Sequence, residues 1–170
     1  MNLKEHLRYI PGFPEEGVTF IDITTVLKDP ILFHAAISEL AKAVEDLEFD
    51  VIVGAESRGF IMGAPLAYAL GKGFIPVRKK GKLPAETVSA DYELEYGKNT
   101  LEIHTDSIKP GMKALIVDDL LATGGTAKAN CELVEALGGV VSGLLFFIEL
   151  DFLKGMKKLD GYDVRVVLTL

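Results

Sequence analysis

The chain contains one cysteine, Cys131, and no tryptophan. A single cysteine cannot form an internal disulfide, so the fold must rest on its apolar core rather than on covalent cross-links. Cys131 lies in a helix-like stretch, where we expect a buried and unreactive thiol. This use of cysteine fits a reducing compartment.

Long apolar runs are missing as well. The longest, residues 140–148, is interrupted by Ser142 and Gly143 and falls far short of the ~20 residues that a membrane helix needs. Residues 1–9 include several charged side chains and lack a continuous apolar core, so we expect no signal peptide. We therefore expect a cytoplasmic protein without a membrane partner.

The chain also lacks an excess of basic residues, because 18 Lys and Arg stand against 25 Asp and Glu and give a net charge of -7. A general nucleic-acid binder needs a basic face that neutralises phosphates, so we expect no nucleic-acid partner. Any anion-binding site must therefore be local.

Apolar side chains are plentiful, at 49% of the 170 residues, beside 25% charged residues. No repeat, low-complexity tract or Gly/Ser linker interrupts the chain. This composition predicts one domain, residues 1–170, that buries roughly two-thirds of the surface exposed by the unfolded chain.

Short apolar runs alternate with segments of helical spacing. The runs that predict buried strands are residues 51–53, 74–77, 115–117, 144–148 and 164–168, and the helical segments are residues 31–47, 60–70 and 126–137. Such alternation predicts an α/β fold with right-handed βαβ units and a largely parallel sheet flanked by helices.

One region departs from this alternation. Residues 78–93 show neither helical nor apolar-strand periodicity, whereas residues 99–104 alternate like an exposed strand. A long excursion with a returning strand resembles a β-flap or lid, and a loop of that length in a compact domain is usually functional.

The strongest motif spans residues 114–126: a buried strand, two carboxylates, a Gly/Thr loop and a helix start. Ligands of open α/β sheets bind at the carboxyl ends of the strands, where this loop would lie. Its amides and two threonine hydroxyls can hold a phosphate at the positive end of the helix. The candidate phosphate-binding residues are Ala122, Thr123, Gly124, Gly125 and Thr126. Neither a Walker loop nor a Rossmann fingerprint occurs.

The adjacent carboxylates, Asp118 and Asp119, can accept hydrogen bonds from ribose hydroxyls or hold Mg²⁺ through water. For an isolated pair the alternative is a capped helix with solvated acidic side chains. The three histidines are scattered without ligand spacing, so we expect no transition-metal site.

Two further segments have the composition of an anion site. Residues 53–60 form another strand-to-helix turn, in which Arg58 can form a bidentate contact with an anion or, alternatively, a surface salt bridge. Residues 78–82 place four cations in five positions, which favours either a solvated loop or a mobile loop that closes over a diphosphate.

The string Asp-Asp-Leu-Leu-Ala-Thr-Gly-Gly-Thr, residues 118–126, resembles the phosphoribosyl-diphosphate motif of type I phosphoribosyltransferases, in the form found in adenine-using members. The resemblance extends through residues 14–29, 54–63, 78–84 and 94–97. It implies an N-terminal hood over the base at about residues 1–30 and a flexible flap at about 78–104. It further implies transfer of a phosphoribosyl group to adenine with release of pyrophosphate, Mg²⁺ on the diphosphate, and a homodimer.

The resemblance also implies residue roles. Glu56, Ser57 and Arg58 would bind pyrophosphate around a cis peptide between the first two, and the loop cations Arg78, Lys79 and Lys82 would close over it. Glu95, in the flap, would manage a proton at the purine's imidazole edge. The expected catalytic residues are Glu95, Arg58, Asp118 and Asp119.

The base site is expected at residues 17–24, which without the resemblance read as an ordinary strand and turn with Phe20 in the core. In the family the residue matching Phe20 stacks on the purine, and a basic residue often stands where this chain has Ile21. The expected base-binding residues are Val18, Thr19, Phe20, Ile21 and Leu120.

Two other functions stay open at this point. A phosphoribosyltransferase for xanthine, hypoxanthine or guanine would need a base pocket with one donor and one acceptor reversed. A regulator that senses phosphoribosyl diphosphate while binding nucleic acid would need a basic patch outside the site, and the acidic composition disfavours it.

Overall fold

The computed structural model describes residues 1–94 and 97–170. These form two compact units, Met1–Glu39 and Leu40–Leu170.

The first unit contains a hairpin of two antiparallel strands, β1 (Arg8–Pro11) and β2 (Thr19–Asp22), followed by the short helix α1 (Thr24–Leu27). Asp22 joins these elements, because its carboxylate lies 3.5 Å from Arg8 Nε across the hairpin and accepts a 2.9 Å hydrogen bond from the Thr24 N–H. Helix α2 (Pro30–Ala43) begins in this unit, where Asp29 accepts hydrogen bonds from the amides of Ile31 and Leu32. A side chain before the first turn thus satisfies donors that the helix itself leaves unpaired.

The second unit is built on a seven-stranded sheet with the order β5-β6-β4-β3-β7-β8-β9. Its strands are β3 (Val51–Ala55), β4 (Gly73–Lys79), β5 (Thr87–Leu94), β6 (Gly97–His104), β7 (Lys113–Leu121), β8 (Val140–Glu149) and β9 (Val164–Thr169). Five neighbouring strands, β4, β3, β7, β8 and β9, pair in parallel. At one edge, β6 pairs antiparallel with β4, and β5 pairs antiparallel with β6. The predicted α/β fold with a largely parallel sheet is confirmed, and each predicted apolar run lies within a strand.

Two further helices follow two neighbouring central strands: α3 (Arg58–Leu70) after β3 and α4 (Gly125–Ala136) after β7. Both were predicted to within two residues at each end. Gly71, directly after helix α3, has φ 65°, a left-handed conformation that glycine adopts without a steric penalty.

The predicted helix over residues 31–47 is too long, since α2 ends at Ala43. The Arg165 guanidinium accounts for this end. It donates a 3.0 Å hydrogen bond to the Ala43 carbonyl oxygen and forms ion pairs with Asp46 and Asp163. A side chain from the far edge of the sheet thus satisfies a terminal helix carbonyl.

The prediction for residues 78–104 was wrong in two details. Residues 87–94, which were not predicted to be a strand, form β5, and β6 is not an exposed strand, because Leu101 and Ile103 are buried at 2% and 0% exposure. Strands β5 and β6 pair antiparallel, with Thr87 opposite His104 and Glu93 opposite Lys98. The expected returning strand is therefore confirmed.

The centre of the sheet is apolar on both faces, and every residue of β3 is buried. Cys131 of α4 is fully buried in the same core, and burial raises the pKa of its thiol to about 12. The reactive thiolate is therefore disfavoured, as the sequence predicted. No helix in the described residues is long and apolar enough to cross a membrane.

Candidate active site

A cleft of about 460 Å³ lies in the second unit, at the C-terminal ends of β3 and β7. Parallel strands place their carboxyl ends at one edge of the sheet, and loops there are free to vary without disturbing the core. The lining residues are Glu56, Ser57, Arg58, Lys79, Tyr92, Leu101, Asp118, Asp119, Leu120, Leu121, Ala122, Thr123, Gly124, Gly125, Thr126, Ala127 and Phe146. The structure thus brings together most of the predicted site.

The wall formed by residues 122–126, here called the phosphate loop, connects β7 to α4. Gly124 has φ 88°, which turns the chain sharply enough for α4 to begin at Gly125. The first helical hydrogen bond runs from the Lys128 N–H to the Gly124 carbonyl oxygen at 3.0 Å. The amides of residues 125–127 therefore have no acceptor within the helix. These amides and the helix dipole favour an anion at this wall.

The acidic pair lies just before this loop, near the end of β7. Burial raises the pKa of Asp118 well above its ordinary value, and repulsion from the Asp119 carboxylate raises it further. Asp118 also accepts a 2.9 Å hydrogen bond from the Asp119 N–H. Its close packing requires a glycine opposite, because a Cβ atom at Gly59 would lie 2.9 Å from Asp118 Oδ1.

Asp119 faces the second predicted anion-binding segment. It is 5% exposed, and its Oδ2 lies 2.8 Å from the Nε of Arg58, the first residue of α3. Arg58 itself is 45% exposed and lines the cleft. An arginine at this position also brings a positive charge to the cleft, which favours an anion there.

The turn formed by residues 56–58, here called the Glu56 turn, contains a cis peptide bond between Glu56 and Ser57. The predicted cis bond is therefore confirmed. The Glu56 N–H donates a 2.9 Å hydrogen bond to the Val77 carbonyl oxygen, so the turn continues the pairing of β3 with β4. Ser57 and Arg58 follow directly and line the cleft.

Three residues of the cationic segment, residues 78–82, contact the carboxylate of Glu56. Glu56 accepts hydrogen bonds from the Lys79 N–H at 2.6 Å and from Lys82 Nζ at 2.9 Å, and Arg78 Nε lies 3.6 Å away. Partial burial opposes ionisation, but these hydrogen bonds and the neighbouring positive charges hold the pKa of Glu56 below its ordinary value. Lys79 lines the cleft, whereas the side chains of Arg78 and Lys82 meet Glu56.

Several cleft residues were not predicted as site residues. They are Tyr92, Leu101, Leu121, Ala127 and Phe146. Tyr92 accepts a 3.2 Å hydrogen bond from Asn99 Nδ2 across the β5–β6 hairpin. The signal that could have found it is the alternation of Val88, Ala90 and Tyr92, which all pack toward the core.

The remaining predicted residues lie elsewhere in the chain. Of the expected base-binding residues, Leu120 lines the cleft, while Val18, Thr19, Phe20 and Ile21 belong to the first unit. There the Phe20 ring meets the Phe13 ring edge-to-face, with centroids 5.3 Å apart. Glu95 lies outside the described residues.

The cleft combines an amide-lined wall, an acidic pair and an arginine–lysine wall. Gly54 of β3 lies opposite Val117 of β7, which places the Glu56 turn beside the acidic pair. No cluster of three or more His, Cys, Asp or Glu side chains that could hold a metal ion occurs in residues 1–94 and 97–170. This arrangement suits an elongated ligand with anionic groups at both ends and hydroxyls between them.

Comparison with known proteins identifies the class. The chain belongs to the phosphoribosyl transferase domain family, whose model matches residues 22–167. Within that family, the adenine phosphoribosyltransferase of Acetivibrio thermocellus is 61% identical over 168 residues, which cover 98% of each chain.

Solved structures agree with this relationship. The crystal structure of adenine phosphoribosyltransferase from Thermoanaerobacter pseudethanolicus matches with a TM-score of 0.97 and 56% identity over 99% of this chain and 98% of that one. The Saccharomyces cerevisiae enzyme, complexed with adenine and an imino-altritol bisphosphate, matches with a TM-score of 0.92 and 46% identity over 98% of this chain and 96% of that one. The resemblance stated from the motifs is thereby confirmed.

Proposed function

We propose that this protein transfers the phosphoribosyl group of 5-phosphoribosyl-1-diphosphate to N9 of adenine, giving AMP and pyrophosphate in purine salvage. The observation that carries the proposal is the convergence of the phosphate loop, the acidic pair and Arg58 in one cleft. The choice of adenine is supported by the relatives of 57–61% identity, which are named adenine phosphoribosyltransferases.

The two walls of the cleft bind the two ends of the sugar substrate. The 5-phosphate is held by the amides of residues 124–127 and by the hydroxyls of Thr123 and Thr126, which requires no lysine. The diphosphate is held at the Glu56 turn by Ser57, Arg58 and Lys79. The ribose hydroxyls then face Asp118 and Asp119, whose oxygens accept hydrogen bonds from them.

The reaction proceeds by loss of pyrophosphate ahead of attack. As the bond from the anomeric carbon to the pyrophosphate oxygen breaks, negative charge develops on the leaving group and positive charge on the sugar. Arg58 and Lys79 stabilise the first, and the acidic pair stabilises the second. Adenine N9 then forms the new bond from the opposite face, with inversion, so most of the catalysis is positioning and charge stabilisation.

The acidic pair also fits Mg²⁺. This ion prefers oxygen ligands and is commonly held by one or two carboxylates together with substrate phosphates. Asp118 and Asp119 would provide that donor set, and a bound cation would favour the ionised form of Asp118, whose pKa is raised first by burial and then by repulsion from Asp119. Mg²⁺ would neutralise the leaving diphosphate.

Glu95 is proposed as the group that manages a proton at the purine's imidazole edge when the flap closes. General acid–base assistance of this kind is worth about 10²–10⁴-fold in rate. Glu95→Gln keeps the size and hydrogen bonding but removes the titratable group. A single-turnover rate of Glu95→Gln within threefold of wild type would mean that Glu95 has no role in proton transfer.

The same proposal covers the organisation of the chain. Residues 1–170 act as one phosphoribosyltransferase domain, with a base-binding hood at about residues 1–30 and a flap at about 78–104, and two copies form a homodimer. Phe20 stacks on adenine, assisted by Val18, Thr19, Ile21 and Leu120. A cytoplasmic location is supported by the single buried cysteine.

The decisive experiment measures adenine, hypoxanthine, guanine and xanthine separately as substrates, with pyrophosphate release as the readout. We expect adenine to exceed each 6-oxopurine by at least ~10²-fold in kcat/KM, since mispaired buried donors and acceptors cost several kcal/mol. Equal use of hypoxanthine would support the 6-oxopurine alternative instead. No turnover of any base, with phosphoribosyl diphosphate still bound, would support the regulator.

A further inference from the structure

Residues 150–159, here called the buttress, follow β8 and lie against the back of the phosphate loop. The contact is backbone on backbone and centres on Gly155. A Cβ atom built on Gly155 would overlap the Ala122 carbonyl oxygen and lie 3.1 Å from Leu121 Cδ1. From the other side, a Cβ atom on Gly124 would lie 2.6 Å from the Gly155 carbonyl oxygen.

The requirement for glycine at position 155 is one of space. Gly124 has φ 88° and would be unfavourable for other residues whatever surrounded it, whereas Gly155 does not have a positive φ. Only the absent side chain lets the two backbones approach. An alanine at position 155 therefore tests the contact without imposing backbone strain.

The buttress is fixed in place at several points. The Leu150 N–H donates a 2.9 Å hydrogen bond to the Leu121 carbonyl oxygen, and the Asp151 N–H donates a 3.0 Å hydrogen bond to the Leu170 carbonyl oxygen. Leu159, at the far end, is 1% exposed and packs in the main core. The phosphate loop is less constrained, because Thr123 is exposed and the loop amides have no helical partners. A methyl group at position 155 should thus displace the loop rather than the buttress.

We propose that Gly155 is a positioning residue for the 5-phosphate site. It fixes the position of the phosphate loop against the buttress and does not touch the substrate. This inference rests on the proposed function. A displacement of about 1 Å can cost about 10²-fold when binding groups must converge on one ligand. Gly155→Ala should therefore weaken the binding of phosphoribosyl diphosphate while the adenine site is unchanged.

The test compares Gly155→Ala with Gly73→Ala. Gly73 also has no positive φ, and its added Cβ would meet only Val51 Cγ2, at an ordinary 3.6 Å. We expect Gly155→Ala to raise KM for phosphoribosyl diphosphate about 10–10²-fold, with KM for adenine within twofold, and Gly73→Ala to match wild type. Equal KM values in wild type and Gly155→Ala would overturn the inference.

A binding measurement separates this inference from the proposed function. Titration calorimetry with phosphoribosyl diphosphate alone requires no turnover. If wild type binds it but does not use adenine, the proposed function fails, and weaker binding by Gly155→Ala still supports the buttress. If wild type does not bind it, both fail.

A second variant covers loss of folding. If circular dichroism shows that Gly155→Ala is unfolded, Leu159→Val loosens the anchor of the buttress without adding atoms. We expect a smaller rise in KM for phosphoribosyl diphosphate, about two- to fivefold, again with KM for adenine unchanged. A Leu159→Val protein that is less stable but has wild-type KM values would overturn the inference.

Discussion

The two turns that meet in the cleft both connect a buried strand to a helix, yet they offer an anion different kinds of groups. The phosphate loop between β7 and α4 contains no charged side chain and relies on amides and hydroxyls. The Glu56 turn between β3 and α3 is surrounded by charge, with Arg58 paired to Asp119 and the cationic segment gathered around Glu56. One turn is suited to an anion by its amide donors and shape, and the other by its charge.

The difference matches the chemistry that the proposed reaction requires at each end of its substrate. In the proposed reaction the 5-phosphate keeps the same charge throughout, so an amide-lined site is sufficient. The diphosphate gains negative charge as it leaves, so strong cationic side chains at that end stabilise the transition state more than the ground state. Variants at the two turns should therefore separate into effects on turnover and effects on substrate binding.

The largest effect is expected at the charged turn. Arg58→Ala removes the cation that is proposed to stabilise the leaving group, and it leaves Asp119 without its arginine partner. We therefore expect kcat/KM to fall about 10²–10³-fold, mostly through kcat. Arg58→Lys should recover part of this loss, because a lysine keeps the charge but not the planar fork. Arg165→Ala is the control, since Arg165 pairs with Asp46 and Asp163. Steady-state kinetics that show a change in KM alone would contradict the comparison.

The next effect is expected at the amide-lined turn. Gly124→Ala adds a Cβ atom 2.6 Å from the Gly155 carbonyl oxygen, and we expect kcat/KM for phosphoribosyl diphosphate to fall about 10²-fold through KM. Gly161→Ala is a close control, because Gly161 has the same φ of 88° but no atom within 4 Å of its Cβ position. Similar kinetic losses in both variants would mean that backbone strain, rather than the loop contact, is responsible.

The acidic pair should show opposite effects on activity and stability. Burial and Asp119 raise the pKa of Asp118, so the folded state holds a proton there that the unfolded state releases, and stability falls as pH rises between the two pKa values. Asp118→Asn should impair turnover yet stabilise the fold at pH 7 by about 0.5–2 kcal/mol, a gain that disappears near pH 3.5.

Thermal unfolding of wild type and Asp118→Asn between pH 3.5 and pH 8 measures this gain. Asp106→Asn, at an exposed position, is the control and should leave the pH profile unchanged. A Tm difference between wild type and Asp118→Asn that is independent of pH would exclude the titration of Asp118 as its cause.

The smallest effect is a difference in salt dependence. Raising KCl from about 0.05 M to about 0.5 M should weaken inhibition by pyrophosphate several-fold, because exposed cations are screened at this ionic strength. Inhibition by ribose 5-phosphate should change less, since the phosphate loop contains no charged side chain whose attraction salt could screen. Equal salt slopes for the two inhibitors would remove the distinction between the turns.

The phosphate loop could be predicted from the sequence because its parts are contiguous. A buried strand, an acidic pair, a Gly/Thr loop and a helix follow one another over residues 114–126, so local geometry alone brings the amides and carboxylates together. The apolar strand runs were equally predictable, since a strand buried on both faces needs continuous apolar residues.

The environment of the Glu56 turn was less predictable. Its carboxylate meets Lys79 and Lys82, which lie 23 and 26 positions further along the chain, through the pairing of β3 with β4. Strand β5 was missed because its inward side chains, Val88, Ala90 and Tyr92, alternate with polar residues too weakly to indicate burial. The end of α2 was missed because the partner of its last carbonyl, Arg165, lies 122 positions further along the chain.

The sequence by itself therefore determined the order of the central strands and their helices, the phosphate loop and the identity of the charged residues, because each depends on neighbours within a few positions. Only the tertiary structure decided which partners those residues meet. It placed Asp119 against Arg58, the cationic segment around Glu56, and Gly155 against Ala122. Such contacts depend on strand pairing and on the close approach of distant backbones, and neither leaves a periodic signal in a single sequence.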